Sequence, residues 1–495
     1  MQFYSLEFIL FLIILLLAYY LFAGKKGWLC LLAGSLLFYA SFHVYYLFYV
    51  LGVAFSVWGG AWLLSKTEKK RKGRRRLILF SVLTLNFGVL CLFKYGGNLP
   101  GMSGLLMPLG LSFYMFQAAG YLVDIYYRKY EAEKNPVRFL LFVSWFPQLV
   151  QGPIGRYDRL APQFDKTPAW DAERAKHAMV RVLYGAMKKY ALANLLAGTV
   201  SHILDGNVRG LSSQVTVIGI LFYAVQQYAD FSGGIDMVIG IAELFGITMD
   251  ENFRRPYFSV SVADFWRRWH ITLGAWMRDY VFYPFALLKP MQRLGKTCKK
   301  KLGKHMGQAI PASIANLLVF FLVGIWHGSE LHFVVWGLYN GVLIALSDLM
   351  RPLFDKLSAA LHIRTESGGF HVFRVVRTFL LVSVGWYFDR IERVSDALVC
   401  LKNTFLHFDR DFSTVGTLFA ERFSDSQIVL PFVALFSLII LIVCSVLQEK
   451  GRDVYAGLQK TKCGYRWLLY IFMLILIMTG FAYTNSGGGF MYAAF

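Results

Sequence analysis

Long uncharged apolar runs, separated by short basic clusters, dominate this sequence and limit the folds that it can adopt. Residues 8–23 form one such run, which with Leu6 and Glu7 is about long enough to cross a hydrocarbon core of about 30 Å as a helix. No basic segment precedes this run and no small-residue cleavage site follows it, so we expect it to be retained. Charged residues make up 16% of the chain, against roughly a quarter in soluble domains. The sequence predicts an integral membrane protein with many helical spans.

The formal net charge is +21, and the basic residues that cause it are arranged as they are in multi-pass membrane proteins. Lysine and arginine concentrate in loops between apolar runs, as the positive-inside bias produces, and such loops also contact anionic lipid headgroups. This placement favours membrane lipids as a partner over nucleic acid. The basic clusters are residues 25–26, 66–76, 128–138, 289–304 and 450–466.

If these loops are cytoplasmic, the apolar segments at both ends of the chain alternate in direction and place both termini outside the cell membrane. We therefore expect one polytopic membrane domain over residues 1–486 and an extracytoplasmic tail over 487–495. The expected spans are residues 6–23, 27–42, 46–64, 77–93, 105–126, 428–447 and 467–483, with one more centred on residues 379–386 whose ends the sequence leaves open.

The middle of the chain predicts interrupted helices. Residues 139–155 and 257–285 are apolar and aromatic, but prolines break them and the second carries several charges. Charges of this number are tolerated in broken or re-entrant segments packed inside protein, where they line a cavity. Residues 389–426 are polar with amphipathic spacing, which predicts short helices on the outer surface.

The six cysteines show no CxxC pair and no spacing typical of a metal site. Most lie in apolar runs or beside loops predicted to be cytoplasmic. We expect neither disulfides nor a bound metal.

The strongest candidate for chemistry is Trp326-His327-Gly328, which ends the apolar run 310–325 just before the next span. A histidine in hydrocarbon is costly without partners, and neutral imidazole is the common general base near neutral pH. The alternative is a structural histidine that hydrogen-bonds a neighbouring helix. The position alone leaves both interpretations open.

A second candidate is the block of residues 264–280, which is dense in tryptophan, arginine and aspartate. Carboxylates are the wrong charge for anchoring to anionic headgroups, so the block predicts a network within the protein. Either its histidine orients a donor or substrate, or the whole block is a structural lattice. Its polar and aromatic candidates are Asp264, Arg267, Arg268, Trp269, His270, Arg278 and Asp279.

Asp230 and Asp236 form a third candidate in an apolar setting. They stand too far apart for adjacent positions on one helix, which favours a break at Gly233-Gly234. Pairing with the arginines of residues 264–280 is a possible arrangement, and a structural ion pair is the preferred interpretation.

The tail, residues 487–495, joins a glycine hinge to an aromatic hexapeptide containing Tyr492. Such a tail could anchor at the membrane interface, which the physics of the residues favours. It could also reach back into a cavity, where the phenol, with a pKa of about 10, would be a nucleophile once a base takes its proton.

Taken together, these blocks resemble the membrane-bound O-acyltransferase family, in particular its bacterial branch of alginate O-acetylation and teichoic-acid D-alanylation proteins. The resemblance extends from about residue 107 to 340 and is specific only as a set. Its stretches are residues 109–117 with Gln117, 146–154 with Gln148, 227–236, 264–280 and 326–328.

The resemblance implies an all-α integral membrane fold, a ring of transmembrane helices with re-entrant segments around a central tunnel. It places His327 at the family's catalytic histidine and His270 at the second histidine position. The remaining candidates would line or support the tunnel: Trp326, Gly328, Asp264, Arg267, Arg268, Trp269, Arg278, Asp279, Gln117, Gln148, Asp230 and Asp236.

The tail Phe490-x-Tyr492-x-x-Phe495 resembles the C-terminal motif of the small partner peptide in the D-alanylation system, which implies an acyl-carrying role for Tyr492. The implied donor is a cytoplasmic acyl thioester, either acetyl-CoA or an acyl-carrier protein. The implied partner is an extracytoplasmic protein of the SGNH or GDSL esterase type, and the acceptor a cell-wall polymer or exopolysaccharide. The implied location is the bacterial cytoplasmic membrane.

Two alternatives follow from the same residues. One is an enzyme of the same family that acylates a lipid or protein hydroxyl and does not need Tyr492. The other is a transporter or flippase whose buried histidines and arginines line a solute path.

Overall fold

The computed structural model describes residues 1, 3, 5–22, 24–96, 107–408, 413–422 and 427–484. The predicted tail with Tyr492 lies outside the described residues. Within them the chain is helical and contains no strand. Among these described residues, seven helices are long and apolar enough to cross a membrane, which confirms the prediction of an all-α multi-pass membrane protein: Tyr46–Lys66, Lys72–Tyr95, Lys304–His327, Leu331–Leu349, Gly368–Arg390, Val429–Glu449 and Cys463–Thr484.

Two shorter apolar helices precede these spans, Leu6–Leu17 and Gly27–Ala40. The first continues as a π-helical turn over Ala18–Phe22. The candidate spans keep large apolar side chains exposed, such as Phe48, Phe80 and Met478. Exposed apolar surface of this kind is what lipid covers in a membrane protein.

The contacts of the chain divide it into two compact units. The first unit comprises Met1–Ala186 and Phe231–Glu251, and the second comprises Met187–Asp230 and Asn252–Ser486. The Ser213–Leu244 helix contributes residues to both. The further helices of the first unit are Leu111–Tyr127, Pro136–Ser144, Phe146–Gln151, Tyr157–Leu160 and Ala172–Ala186.

The Leu111–Tyr127 helix belongs to the interior of the protein. Fourteen of its 17 residues are buried, so it is not one of the lipid-facing candidates. The broken stretch predicted over residues 139–155 is confirmed beside it. Asn135 caps the Pro136–Ser144 helix by accepting from the Val137 amide at 2.9 Å, and Pro147 stands in the first turn of the next helix.

The second unit begins with a π-helical turn over Met187–Ala193 and holds the other broken stretch. Residues 257–285 form short helices rather than one span, as predicted. Besides the candidate spans named above, its α-helices are Asn194–Leu204, Val262–Arg268, Ile271–Met277, Tyr283–Ala286, Lys289–Leu302, Arg351–Ala360, Val394–Leu406, Ser413–Arg422 and Val454–Gln459.

The Lys304–His327 and Leu331–Leu349 helices form a tight hairpin. They cross at Gly324 and Gly337, where a Cβ on Gly337 would lie 2.3 Å from the Phe320 carbonyl oxygen. A Cβ on Gly324 would lie 2.6 Å from the Phe333 carbonyl oxygen. Only glycine lets two backbones approach this closely, and the approach fixes the end of the first helix.

Two expectations about elements are wrong. Gly233-Gly234 does not break its helix, since Ser213–Leu244 is continuous. The backbone there is supported by packing, because Gly185 of the Ala172–Ala186 helix lies so close that a Cβ would be 2.6 Å from the Gly233 carbonyl oxygen. Residues from 389 onward do not all belong to surface helices either, because Asp389 lies within the Gly368–Arg390 helix and is 6% exposed.

Candidate active site

His327 is the last residue of the Lys304–His327 helix and its side chain is 4% exposed. The hairpin turn that follows holds it in place. A Cβ on Gly328 would lie 2.4 Å from the Phe333 ring, so a larger residue there would displace that side chain. The imidazole packs on Trp336 of the returning helix, with ring centroids 4.5 Å apart. The structure therefore places this histidine in a buried position of the second unit.

A buried carboxylate stands beside this histidine. Asp389 Oδ1 lies 4.0 Å from His327 Nδ1, longer than a hydrogen bond but close enough for strong electrostatic attraction in a buried setting. Its other oxygen, Oδ2, accepts hydrogen bonds from the Tyr223 hydroxyl at 2.7 Å and the Gln227 amide at 3.0 Å. The sequence analysis missed Asp389 and Tyr223, and assigned no role to Gln227. The available signal was an acidic residue directly after the aromatic end of an apolar run.

His270 caps the Ile271–Met277 helix with a left-handed backbone, φ +45°. Its Nδ1 lies 3.1 Å from Asn252 Oδ1, which also accepts from the Thr272 amide at 3.1 Å and hydroxyl at 2.9 Å. Because that oxygen can only accept, Nδ1 carries the proton and Nε2 is an acceptor. Burial lowers the pKa of His270 to about 3, so the ring is neutral at physiological pH.

Trp326 connects the two histidines. Its ring centroid lies 5.1 Å from that of His327 and 6.2 Å from that of His270. The two histidines predicted from the sequence are 57 positions apart in the chain (327 − 270 = 57). In the structure both lie beside Trp326. Trp326 is itself 6% exposed, so its contacts with both imidazoles are buried.

Trp269 belongs to a cluster of aromatic rings that extends to His327. Its ring stacks on Phe265 at 5.4 Å and lies 5.7 Å from Trp386. Trp386 stacks in turn on Trp336 at 6.3 Å, next to His327. These rings exclude water and so strengthen the electrostatic interactions of the groups beside them.

Comparison with known proteins assigns the family. Residues 82–297 match the membrane-bound O-acyltransferase family. The "Probable alginate O-acetylase AlgI" of Pseudomonas syringae pv. tomato is 32% identical over 400 residues, which cover 78% of this chain and 71% of that protein. The chain belongs to the membrane-bound O-acyltransferase family. It is accordingly an O-acyltransferase, and this favours the enzyme over a transporter.

Two further relatives of this O-acyltransferase act on different polymers by name. The peptidoglycan O-acetyltransferase of Helicobacter pylori is 27% identical over 521 residues, 95% of this chain and 91% of that protein. The teichoic acid D-alanyltransferase of Bacillus subtilis is 27% identical over 290 residues, 57% of this chain and 68% of that protein. The family match at residues 82–297 includes His270 but ends before His327.

The charged residues of the 264–280 block form ion pairs in the O-acyltransferase. Asp264 pairs with Arg268 at 3.2 Å and with Arg267 at 3.6 Å, and Arg278 pairs with Asp279 at 3.0 Å. The Arg267 side chain is 71% exposed. These pairs support the structural-lattice interpretation for the charges of the block.

Glu449 extends this lattice and was not foreseen. It accepts from Arg255 at 2.6 Å and from Arg268 at 3.0 Å, so the Val429–Glu449 helix is fastened to the short helices of the block. No local pattern could have revealed it, because its partners lie about 180 positions earlier in the chain.

The aspartates of the third candidate have other partners than the arginines considered. Asp230 forms a buried ion pair with Lys189 of the π-helical turn in the second unit. Asp236 pairs with Arg181 at 2.9 Å in the first unit. The expected pairing with residues 267, 268 and 278 is wrong, whereas the preferred structural role agrees with both pairs.

Gln117 and Gln148 belong to the first unit and meet at one backbone atom. Both side-chain amides donate to the Phe142 carbonyl oxygen, at 2.5 Å and 2.9 Å respectively. This carbonyl lies next to the end of the Pro136–Ser144 helix, where an intrahelical partner is missing. The two glutamines therefore stabilise the break in the helix.

The described part of the chain offers groups for proton transfer. No group of three or more His, Cys, Asp or Glu side chains there is arranged to hold a metal ion. What the second unit does offer is a buried imidazole with a carboxylate beside one nitrogen, next to a neutral second imidazole. Such an arrangement suits proton transfer between oxygen and sulfur atoms.

Proposed function

We propose that this O-acyltransferase moves an acetyl or D-alanyl-type acyl group from a cytoplasmic thioester across the membrane to a hydroxyl of a cell-wall polymer or exopolysaccharide. The names of the relatives support this class of acceptor, since they act on alginate, peptidoglycan and teichoic acid. The observation that carries the chemistry is the buried His327 imidazole beside a carboxylate.

In this proposal His327 is the general base. Its Nε2 takes the proton of the acceptor hydroxyl while the hydroxyl oxygen attacks the thioester carbonyl carbon. The tetrahedral intermediate then collapses, the carbon–sulfur bond breaks, and the imidazolium returns the proton to the leaving thiolate. The products are an ester and a free thiol, so no oxidant or metal is needed.

His270 and Trp326 would position the reactants. Neutral His270 presents Nε2 as a hydrogen-bond acceptor, which suits holding a hydroxyl or an amide N–H of the donor. Trp326, between the two histidines, supplies an apolar wall against which a short acyl chain packs.

We further propose that Tyr492 receives the acyl group first. A phenyl ester keeps much of the transfer potential of a thioester, because phenolate is a better leaving group than an alkoxide. A separate extracytoplasmic protein of the SGNH or GDSL type would then pass the group to the polymer. In this scheme residues 1–486 act as one domain in the bacterial cytoplasmic membrane, with both termini outside.

The test is mass spectrometry of the C-terminal peptide after purified full-length protein is incubated with acetyl-CoA or with a charged carrier protein. An acyl mass increment on the wild-type peptide, lost in His327→Ala and in Tyr492→Phe, is expected. Tyr483→Phe is the matched control, since it removes an exposed tyrosine near the same end of the chain and should keep the increment.

Absence of the increment, in a preparation that still consumes the donor, would reject Tyr492 as carrier. It would favour direct transfer from the thioester to an acceptor hydroxyl, such as that of a lipid or protein. Full activity of His327→Ala would reject the proposed base itself.

A further inference from the structure

We propose that Asp389 is the positioning residue for His327, and that Tyr223 and Gln227 hold Asp389 in place for that task. The inference rests on the proposed function, in which His327 is the base. It assigns a purpose to two helices beside the one that carries His327. Asp389 comes from the Gly368–Arg390 helix, and both holding residues come from the Ser213–Leu244 helix.

The two carboxylate oxygens of Asp389 have different surroundings. Oδ2 is fixed by two donors, the Tyr223 hydroxyl at 2.7 Å and the Gln227 amide at 3.0 Å. Oδ1 is left facing His327 Nδ1 at 4.0 Å. Because one oxygen is fixed, the other cannot rotate away from the imidazole.

This geometry decides which imidazole nitrogen can act as the base. A carboxylate next to Nδ1 favours the tautomer with its proton on Nδ1, which leaves the lone pair on Nε2. When Nε2 takes a proton from the acceptor hydroxyl, the positive charge that develops is stabilised by the nearby carboxylate. Both side chains are at most 4% exposed, so water does little to weaken that attraction.

Two other basic side chains near Asp389 have partners of their own. Arg390, the next residue, pairs with Asp205 and lies over the Tyr223 ring. His332 Nδ1 bonds the Phe388 carbonyl oxygen at 2.8 Å. Burying a carboxylate costs free energy. Here the carboxylate oxygen Oδ1 faces His327, the proposed base.

The competing explanation is structural, because the Asp389 contacts with Tyr223 and Gln227 also join two helices. A structural role predicts that variants of Asp389 are less stable, and that their effect on activity is independent of His327. A positioning role predicts that the effect on activity passes through His327. The two explanations therefore differ in how the variants combine.

The experiment measures the steady-state release of CoA thiol from acetyl-CoA by the full-length protein in detergent. Asp389→Asn is expected to lower kcat about 10- to 100-fold while the KM for acetyl-CoA stays within about twofold. Asp389→Glu is expected to restore part of the loss, and Tyr223→Phe to lower kcat by a smaller factor. In a His327→Ala background, Asp389→Asn is expected to cause no further loss.

The matched control is Asp205→Asn, which removes a carboxylate that pairs with the residue next to Asp389 and is expected to keep the wild-type kcat. If Asp389→Asn fails to fold, Tyr223→Phe in both backgrounds tests the same point, since it deletes only one hydroxyl.

Three results would overturn parts of the scheme in distinguishable ways. A kcat within about twofold of wild type for Asp389→Asn, or a further loss in the His327→Ala background, rejects the positioning role and leaves the proposed function intact. Wild-type kcat in His327→Ala rejects the base. A wild-type protein that releases no thiol from acetyl-CoA rejects that donor and, with it, this inference as stated.

Discussion

The two histidines of the site differ in what their Nδ1 atoms meet. His270 Nδ1 donates to an amide oxygen of Asn252, whereas His327 Nδ1 faces the carboxylate of Asp389. An amide oxygen fixes the tautomer but carries no charge to stabilise an imidazolium. His270 is therefore suited to remain neutral and accept a hydrogen bond, while His327 is suited to gain and lose a proton.

A pH dependence of stability follows for His270. Its folded pKa of about 3 lies below the ordinary value of 6.5, so the unfolded chain binds a proton that the folded chain does not. Above pH 6.5 the group has no effect, and stability falls as pH decreases from 6.5 toward 3, by at most about 1.4 kcal/mol per pH unit. In His270→Asn we expect a flatter dependence, measured as the melting temperature in detergent between pH 4.5 and 7.5. Equal slopes in both proteins would contradict this.

The sequence selected residues whose chemistry is unusual for their local setting, and missed those whose partners are distant. His327 was evident because imidazole in an apolar run is costly without partners, and His270 because it lies in a block dense in tryptophan, arginine and aspartate. Asp389 was not, because it follows an apolar run whose end could not be placed to within a turn. Asp389 is held by a hydrogen bond from Tyr223, which lies 166 positions earlier in the chain and is close to it only in the folded protein.

At the scale of elements, the hairpin of the Lys304–His327 and Leu331–Leu349 helices sets the position of the proposed base. The close approach at Gly324 and Gly337 leaves no space for a methyl group. Any change that separates these helices should move His327 relative to Asp389.

Gly337→Ala is expected to reduce both stability and turnover. The added Cβ would lie 2.3 Å from a backbone oxygen, which cannot move without the helix, so a loss of about 1–3 kcal/mol is expected. Gly59→Ala is the control, since a Cβ there meets nothing within 4 Å and alanine favours a helix. Thermal unfolding and donor turnover are measured for both. Equal behaviour of the two variants would show that the hairpin tolerates separation.

Helix breaks could be predicted from the sequence where proline causes them, but not where only glycine is present. Pro147 interrupts the chain between Pro136–Ser144 and Phe146–Gln151, as its missing N–H requires. Gly233-Gly234 leaves the choice to the surroundings, and close packing by Gly185 keeps the helix intact. Glycine permits a break but does not impose one.

For the whole molecule, hydropathy placed several spans well because each is long and apolar. The expected segments 46–64 and 428–447 correspond to the Tyr46–Lys66 and Val429–Glu449 helices. The segment centred on residues 379–386 lies in the Gly368–Arg390 helix, whose ends the sequence left open because Arg374 and Arg377 lower the hydropathy of its first half. Arg377 donates to the Val260 carbonyl oxygen at 3.0 Å, a contact that sequence alone does not reveal.

The predicted orientation can be tested with thiol labelling. Cys463 is exposed and follows a basic loop expected in the cytoplasm, whereas Ser5 precedes the first helix and is expected outside. In variants with a single cysteine, a membrane-impermeant maleimide should label Ser5→Cys in intact cells. It should label Cys463 only after the cells are opened. The reverse result would invert the predicted topology and place the acceptor on the other side.

His327, the proposed base, is the last residue of one helix, and Asp389 is the last residue but one of another. Both lie downstream of the region by which the family is recognised. The family match stops at residue 297, whereas the paired groups are His327 and Asp389. A gene truncated shortly after that point would still be assigned to the family in a genome survey, yet its product would have neither group. Screens for active members of this family should therefore ask whether both helix ends are encoded, not only whether the family pattern is present.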